Sequence, residues 1–348
     1  MKAAVLHAAK DLRFETVSRP KPDAGQCLVR IRANGLCGSD IHFFEDGKLG
    51  PFRVTTPYIP GHEAVGTVVE TGPGVSDLAV GDRVVIEPGV PCRKCEYCHQ
   101  GLYNLCPNVV FMSAPPVNGT FAEYAVVDTD FLYRVPSGLS DEEAALVEPV
   151  SVGVHACNRA SVRPGSSAVI VGAGPIGLIT LMVARAYGVT QAICVDVIEA
   201  RLQKATEIGA HAVVNASRQD AVSAVMDLTG QKGADYVFEA SGSSAGAALS
   251  PKLAARGGMV TLIGWPEVSE FAYPVELIIE RELNVLGVNR YRNTFGPALE
   301  LMTDGRIPVR ELISHRFDFS DVVNAFQFAS ENRSATTKVV IVNGEEDL

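Results

Sequence analysis

Four cysteines, Cys92, Cys95, Cys98 and Cys106, share one short loop at spacings of two, two and seven residues, beside Pro91, Gly101 and Pro107. Thiolates held in tight turns at this spacing close a tetrahedron around Zn²⁺, and four sulfurs leave no coordination position for a substrate. The centre so read is structural. A redox role for one Cys-x-x-Cys pair leaves the second, overlapping pair and the fourth cysteine unexplained. Cys27, Cys157 and Cys194 sit among apolar neighbours and read as small buried hydrophobes.

A second set of candidate ligands is scattered. Cys37 lies in Gly35-Leu36-Cys37-Gly38-Ser39-Asp40, His62-Glu63 follows Pro60-Gly61, and Glu148 lies in Val147-Glu148-Pro149. One thiolate, one imidazole and one or two carboxylates make a mixed, incomplete zinc shell, the kind that leaves room for water or substrate. Spacing alone does not assemble these residues, and each taken singly also fits a bland place in core or surface. Adjacent residues of a regular strand face opposite sides, so His62 and Glu63 can both ligate only if Pro60-Gly61 supplies an irregular turn.

Gly172-Ala173-Gly174-Pro175-Ile176-Gly177 is a Gly-x-Gly-x-x-Gly placed between a short apolar run and a helical pattern. The first glycine permits a tight turn, the second lets backbone approach a pyrophosphate, and the third lets the helix pack on the strand with its N-terminus toward the phosphates. Asp196, 19 residues after Gly177, ends the next apolar run. A carboxylate there accepts hydrogen bonds from an adenosine ribose and repels a 2′-phosphate. Arg201 offers the opposite chemistry, because a guanidinium can hold a 2′-phosphate. The reading favours NAD over NADP.

The elements that must position these groups follow from pattern. To about residue 150 the chain alternates short β-branched runs (Leu28–Ala33, Ala64–Glu70, Arg83–Glu87) with turns at Gly72-Pro73-Gly74 and Gly81-Asp82, which predicts a mostly antiparallel β domain. From Ala168 the period changes to alternating strand and helix. Strands are predicted at Ala168–Val171, Ala192–Val195, Ala212–Asn215, Tyr236–Glu239, Met259–Ile263 and Asn284–Val288. Six strands with helical crossovers fit an α/β, doubly wound sheet of two mononucleotide-binding halves. A helix over Gly296–Asp304 follows, then one starting at a Ser320 N-cap with Val322, Val323, Phe326 and Ala329 on one face, and a closing strand Lys338–Val342.

Composition bounds the function. At 348 residues the chain suits two domains, and 47% hydrophobic with 20% charged residues is ordinary for a globular protein. A net charge of −10 speaks against a general binder of nucleic acid or anionic membrane. Lys10 and Asp11 interrupt any apolar signal region, and the acidic end Glu345–Asp347 reads as solvated. The uncharged run Pro164–Ala184 carries Gly172, Gly174, Pro175 and Gly177 at its middle and reads as strand, turn and helix rather than a membrane span. A cytosolic location and clustered cysteines that bind metal, rather than form disulfides, are the expectation.

Taken together these residues resemble the zinc-containing medium-chain dehydrogenase family over essentially the whole chain, most closely its sorbitol (polyol) dehydrogenase branch. The segments that carry the resemblance are Cys37-Gly38-Ser39-Asp40-Ile41-His42, Gly61-His62-Glu63, Glu87-Pro88-Gly89-Val90-Pro91-Cys92, Tyr103-Asn104-Leu105-Cys106-Pro107, Glu148-Pro149-Val150-Ser151-Val152-Gly153 and Asn289-Arg290-Tyr291. The resemblance implies a GroES-like catalytic domain over 1–153, a Rossmann nucleotide domain over 154–288, and a segment 289–348 returning to the catalytic domain, with the active site in the cleft between domains. It implies two zinc ions per subunit. Cys37, His62 and Glu63 would hold the working zinc, with Glu148 as a further ligand or as partner to zinc-bound water. Gly172, Gly174, Ile176, Gly177, Asp196, Arg201, Ile263, Val288 and Arg290 would contact NAD. Phe43, Phe111, Glu148, Arg290 and Tyr291 would line the substrate pocket.

Many family alcohol dehydrogenases carry cysteine at the Glu148 position, so the glutamate points to the polyol side. Two residues depart from that branch: Phe43 stands where a tyrosine is common, and Asn289 where an aromatic is frequent. Loss of the phenol hydroxyl removes a donor to a substrate hydroxyl and opens the alternative of another secondary alcohol or a short diol.

The expected reaction is NAD-dependent oxidation of a sugar alcohol to its ketose. Zinc lowers the pKa of bound water to about 7 in other sites and would assist ionisation of an alcohol in the same way. Ser39, two residues after Cys37, can accept the hydroxyl proton, and by resemblance the nicotinamide ribose and His42 would pass it outward. Expected partners are a small polyol or diol and other copies of the chain, as a homotetramer or a dimer pairing edges near Asn284–Val288, with no nucleic acid or membrane. A non-catalytic protein that has kept the fold is the competing class; it predicts a damaged shell, whereas Cys37, Ser39, His62, Glu63 and Glu148 are all present.

Overall fold

The computed structural model describes residues Met1–Gly344, so the acidic end Glu345–Asp347 lies outside the described residues. The chain forms two compact units, Met1–Glu148 with Val309–Leu348, and Pro149–Pro308.

The first unit is built on a seven-stranded sheet ordered Leu132–Arg134, Arg83–Ile86, Glu63–Thr71, Gln26–Gly35, Lys338–Val342, Ile313–Asp318, with Tyr124–Asp128 also paired to Gln26–Gly35. Gln26–Gly35 runs antiparallel to Glu63–Thr71 in a register that sets Gly35 opposite Glu63, and antiparallel to the C-terminal strand with Val340 opposite Gly35. The chain ends of this unit thus meet at one glycine. Val29, Ile31, Val68, Val84 and Ile86 pack with Phe131 in one apolar cluster, and Leu6, Phe44, Tyr58, Phe121 and Phe326 form another. Each such buried side chain contributes about 2 kcal/mol.

The helix Val322–Glu331 buries Val322, Ala325, Phe326 and Ala329. Spacing of three and four residues puts them on one face. The sequence places its start at Ser320, but Phe319–Asp321 forms a tighter 3-10 turn and the α-helix begins after Asp321. Phe319 explains the difference, since its buried ring packs edge-on against Phe14 at 5.3 Å and draws the segment inward.

In the second unit six parallel strands run in the order Ala212–Asn215, Gln191–Asp196, Ser167–Val171, Ala234–Glu239, Ala254–Leu262, Asn284–Gly287. The chain turns outward in both directions from Ser167–Val171, the doubly wound order that leaves a switch point at the carboxyl ends of the strands. Val169, Ile170 and Ile193 are fully buried, as parallel strands covered on both faces require. Asp220 caps the crossover helix Ala221–Leu228 by accepting from the Ser223 N–H at 2.7 Å.

The unit continues to Pro308, past the Val288 at which the sequence reading ends it. Burial is the reason: the helix Phe295–Thr303 buries Phe295, Ala298, Leu299, Leu301 and Met302, and Tyr291 packs on Phe295 at 5.5 Å. The uncharged run Pro164–Ala184 is the strand Ser167–Val171 followed by the helix Pro175–Ala186 with proline at its start. Among the described residues no helix is long and apolar enough to cross a membrane.

Candidate active site and metal centres

Three of the scattered residues come together. Cys37 holds an extended backbone just before the helix Gly38–Asp46, and His62 immediately precedes the strand Glu63–Thr71. Gly61 has φ +100°, a left-handed conformation that side chains disfavour. That turn keeps His62 out of the strand's pleat, so His62 and Glu63 both reach Cys37: the Cys37 sulfur, a His62 ring nitrogen and a Glu63 carboxylate oxygen lie within 4.8 Å of one another. His62 and Glu63 are buried and Cys37 is half-buried. Glu148, in the first turn of the helix Val147–Arg159, is also buried but falls outside this trio.

Two charged residues brace the trio, and the sequence reading gave neither a role. Asp40 is fully buried; its Oδ1 accepts from the Ser113 hydroxyl at 2.7 Å and the Gly61 N–H at 3.3 Å, and its Oδ2 from the Cys37 N–H at 3.2 Å. His62 Nδ1 lies 3.6 Å from the same Oδ1. Burial alone would push the imidazole down, but Asp40 and Cys37 outweigh it and hold His62 well above its ordinary value. Burial likewise opposes the charge on Asp40, and His62 overcomes it, leaving that carboxyl below its ordinary value. Lys338, from the C-terminal strand, donates to Glu63 Oε1 at 2.6 Å. Desolvation would discharge the ammonium, yet Glu63, Cys37 and Glu148 together hold it above its usual range.

The donor set suits zinc. One soft sulfur, one imidazole and one carboxylate give three ligands with a fourth position open, the composition of a catalytic centre. Both side chains are held from outside the trio, His62 by Asp40 at 3.6 Å and Glu63 by Lys338 at 2.6 Å, as metal ligands commonly are.

Ser39 and His42 are three residues apart on the helix Gly38–Asp46 and so share a face, next to Cys37. His42 Nδ1 is 3.8 Å from Asp46 Oδ2. The Phe111 ring lies 5.7 Å from that of His62. Phe43 points into the apolar cluster, only 4% exposed and edge-on to Tyr58 at 6.2 Å.

Cys92, Cys95, Cys98 and Cys106 converge, with their four sulfurs within 4.8 Å of one another. A short helix Glu96–His99 carries Cys98, and the Cys92 N–H points at the Cys106 sulfur at 3.3 Å. The Lys94 N–H helps hold the Cys92 thiol down to about 6, while desolvation pushes Cys98 up to about 12. Four converging sulfurs fit one tetrahedral ion with no open position. Beneath them Glu87 is buried and accepts from the Tyr103 and Tyr133 hydroxyls at 2.7 and 2.8 Å, tying the loop to the sheet.

In the second unit Gly172 follows the strand Ser167–Val171, Gly174 precedes the helix Pro175–Ala186, and Ile176 and Gly177 lie in its first turn. Asp196 ends the neighbouring strand; its Oδ1 accepts from the Val197 and Ile198 N–H groups and its Oδ2 from the Ala173 N–H at 2.6 Å. The carboxylate expected to meet a ribose therefore also braces the glycine turn. An Arg201 guanidinium nitrogen stands 4.0 Å from where a Cβ on Gly174 would lie. Ile263 and Val288 each follow the last residue of a parallel strand, at the same carboxyl edge. Arg290 has φ +53°, and Tyr291 beside it is buried.

With this geometry the family matches agree. Residues 23–137 match the alcohol dehydrogenase GroES-like domain, and residues 175–304 match the zinc-binding dehydrogenase domain. The sorbitol dehydrogenase of Bacillus subtilis (strain 168) is 37% identical over 343 residues, 98% of this chain and 97% of that protein. The chain belongs to the zinc-containing medium-chain dehydrogenase family. It is an oxidoreductase, and it stands close to the sorbitol dehydrogenase branch. Among solved structures, an Escherichia coli oxidoreductase/dehydrogenase of unknown specificity superposes with a TM-score of 0.94 at 36% identity, covering 99% of both chains. The 2R,3R-butanediol dehydrogenase of Bacillus subtilis does so at 0.90 and 32%, again covering 99% of both. The fold is thereby the α/β Rossmann unit with a β-rich GroES-like unit.

Proposed function

We propose that this chain oxidises a polyol, sorbitol- or xylitol-like, to the ketose by transferring hydride to NAD. The observation that carries the reading is the meeting of Cys37, His62 and Glu63 in one buried group, a catalytic rather than structural donor set. Its similarity to sorbitol dehydrogenases supports the substrate class.

Cys37, His62 and Glu63 would hold one zinc ion and the four-cysteine loop a second. When bound, the first would act as a Lewis acid that makes a substrate hydroxyl easier to ionise. Asp40 orients His62 and favours its Nδ1–H form, leaving the other ring nitrogen as a ligand. Ser39 would take the hydroxyl proton, and His42 on the same helix face would pass it outward. Glu148 supplies a carboxylate to a neighbouring substrate hydroxyl. NAD, which the Gly172–Gly177 turn and Asp196 would hold, would supply the hydride acceptor, so the overall products would be a ketone, NADH and one proton. Asp196 would accept from the adenosine ribose and disfavour NADP.

A short diol is the second reading. It is supported by Phe43, which offers no hydroxyl and lies within the core, and by the likeness to a butanediol dehydrogenase. NADH absorbance read across sorbitol, xylitol and 2,3-butanediol separates them. Turnover of the sugar alcohols supports the first, turnover of the diol alone the second, and turnover of none by zinc-replete enzyme overturns both.

We also infer a cytosolic homo-oligomer, a tetramer or a dimer. The clustering of Cys92, Cys95, Cys98 and Cys106 as metal ligands supports a reducing compartment. Asn284–Gly287 ends the parallel sheet's order with Val285 37% exposed, and Ile279 nearby in sequence is 73% exposed, the apolar edge that a second copy would cover.

A further inference from the structure

A buried carboxylate in the nucleotide unit has no part in the chemistry above. Glu239 is the last residue of the strand Ala234–Glu239 and only 2% exposed. Burying a carboxylate costs free energy that an apolar residue would not, so its partners indicate what it is for. Its Oε1 accepts from the Ser241 N–H at 2.8 Å, the Gly242 N–H at 3.1 Å and the Ser241 hydroxyl. One oxygen therefore pins a two-residue turn by three donors.

That turn touches both sides of the carboxyl edge. A Cβ on Gly172, the first glycine of the phosphate motif, would lie 2.7 Å from the Ser241 nitrogen, so the glycine turn and the Ser241 turn are packed backbone to backbone. On the other side, a Cβ on Gly264 would lie 2.2 Å from the Gly242 nitrogen and 2.9 Å from Glu239 Oε2. The Glu267 N–H donates to the Gly242 carbonyl at 3.2 Å, and the Glu239 carbonyl accepts from Ile263 and Gly264 at 2.8 and 3.0 Å. Dinucleotides bind this edge of a doubly wound sheet, across the switch point.

We propose that Glu239 is a positioning residue for the dinucleotide: its carboxylate fixes the Ser241–Gly242 turn, and that turn sets the spacing between the Gly172 phosphate turn and the 263–267 loop. The proposal rests on the dinucleotide reading of the second unit. Glu239 itself touches no reacting atom. Displacing the turn would move two coenzyme-contacting segments at once while leaving the strands in place.

The sequence holds a single tryptophan, Trp265, on the loop that the turn braces. Energy transfer from Trp265 to bound NADH gives an affinity independent of turnover. Glu239→Ala is expected to weaken NADH binding about tenfold, and Glu239→Gln, which keeps one acceptor oxygen, to restore most of it. Ser241→Ala, which removes one donor and keeps the backbone, is expected to weaken it about threefold and covers the case in which Glu239→Ala does not fold. A merely structural carboxylate would lower the thermal midpoint of the apoprotein without changing NADH affinity; that result, or a Gln variant as weak as Ala, overturns the proposal. If the parent protein binds neither NADH nor NADPH, the dinucleotide reading itself fails and takes the proposal with it.

Discussion

Lys338 and Glu63, 275 residues apart in sequence, form a buried ion pair, with the ammonium 2.6 Å from Oε1 and 2.5 Å from Oε2. Their side chains are 5% and 1% exposed. Gly35, opposite Glu63 across the sheet, leaves the room: a Cβ there would lie 2.0 Å from Oε2 and 3.1 Å from Lys338 Cε. Lys338 holds the Glu63 carboxylate aimed, beside Cys37 and His62.

Lys338→Met strands the Glu63 charge in a dry site and is expected to destabilise the first unit by about 3–5 kcal/mol. Gly35→Ala is expected to act in the same direction by forcing the pair apart. Denaturant unfolding of the two variants measures this. Parental stability in Lys338→Met would show that the pair does not persist in solution.

Cys37→Ala and His62→Ala are each expected to abolish turnover while NADH binding survives, because the ligands and the glycine turn lie in different units. Asp40→Asn keeps the shape but weakens the brace on His62, and is expected to cost about 10- to 100-fold in metal affinity or activity. Metal content by atomic absorption, read beside kcat, checks both. Normal activity in a metal-free Cys37→Ala protein would sink the zinc mechanism.

Cys98→Ser opens the four-sulfur cage without touching the trio. Stability should fall first, with a lower thermal midpoint and one zinc fewer per chain, while the protein that remains folded keeps its KM for the alcohol. A large change in KM at unchanged stability would argue against a structural role for the loop.

His155 lies buried in the second unit, and burial, with Arg292 and Arg159 beside it, holds its pKa down to about 4. A depressed folded-state value means that the unfolded chain takes the proton first. Its stabilising contribution is therefore complete above about pH 6.5 and is lost as pH falls toward 4. The loss attributable to it is about 2 kcal/mol at pH 5. His155→Gln should flatten the fall in unfolding free energy between pH 7 and 5 relative to the parent, and an unchanged slope would show that His155 is not buried neutral.

The sequence by itself determined the parts whose chemistry is local. The four-cysteine loop is legible because Cys92, Cys95, Cys98 and Cys106 sit within one loop, where chain connectivity alone keeps the sulfurs near each other. The Gly172–Gly177 turn is legible for the same reason, being a strand end, a turn and a helix start in succession. The six parallel strands show as apolar runs because both of their faces are covered. Only the tertiary structure decided the rest. Asp40 lies in the Cys37–His42 segment, yet nothing in its spacing tells that its carboxylate turns inward to His62 rather than to solvent. Lys338 read as the first residue of a terminal strand; its partner is set by the register that brings that strand and Glu63–Thr71 to either side of Gln26–Gly35. Cys37, His62 and Glu63 come from separate segments, and only the fold brings them into one buried group. Long-range pairings such as these depend on sheet order and burial, which no local pattern encodes.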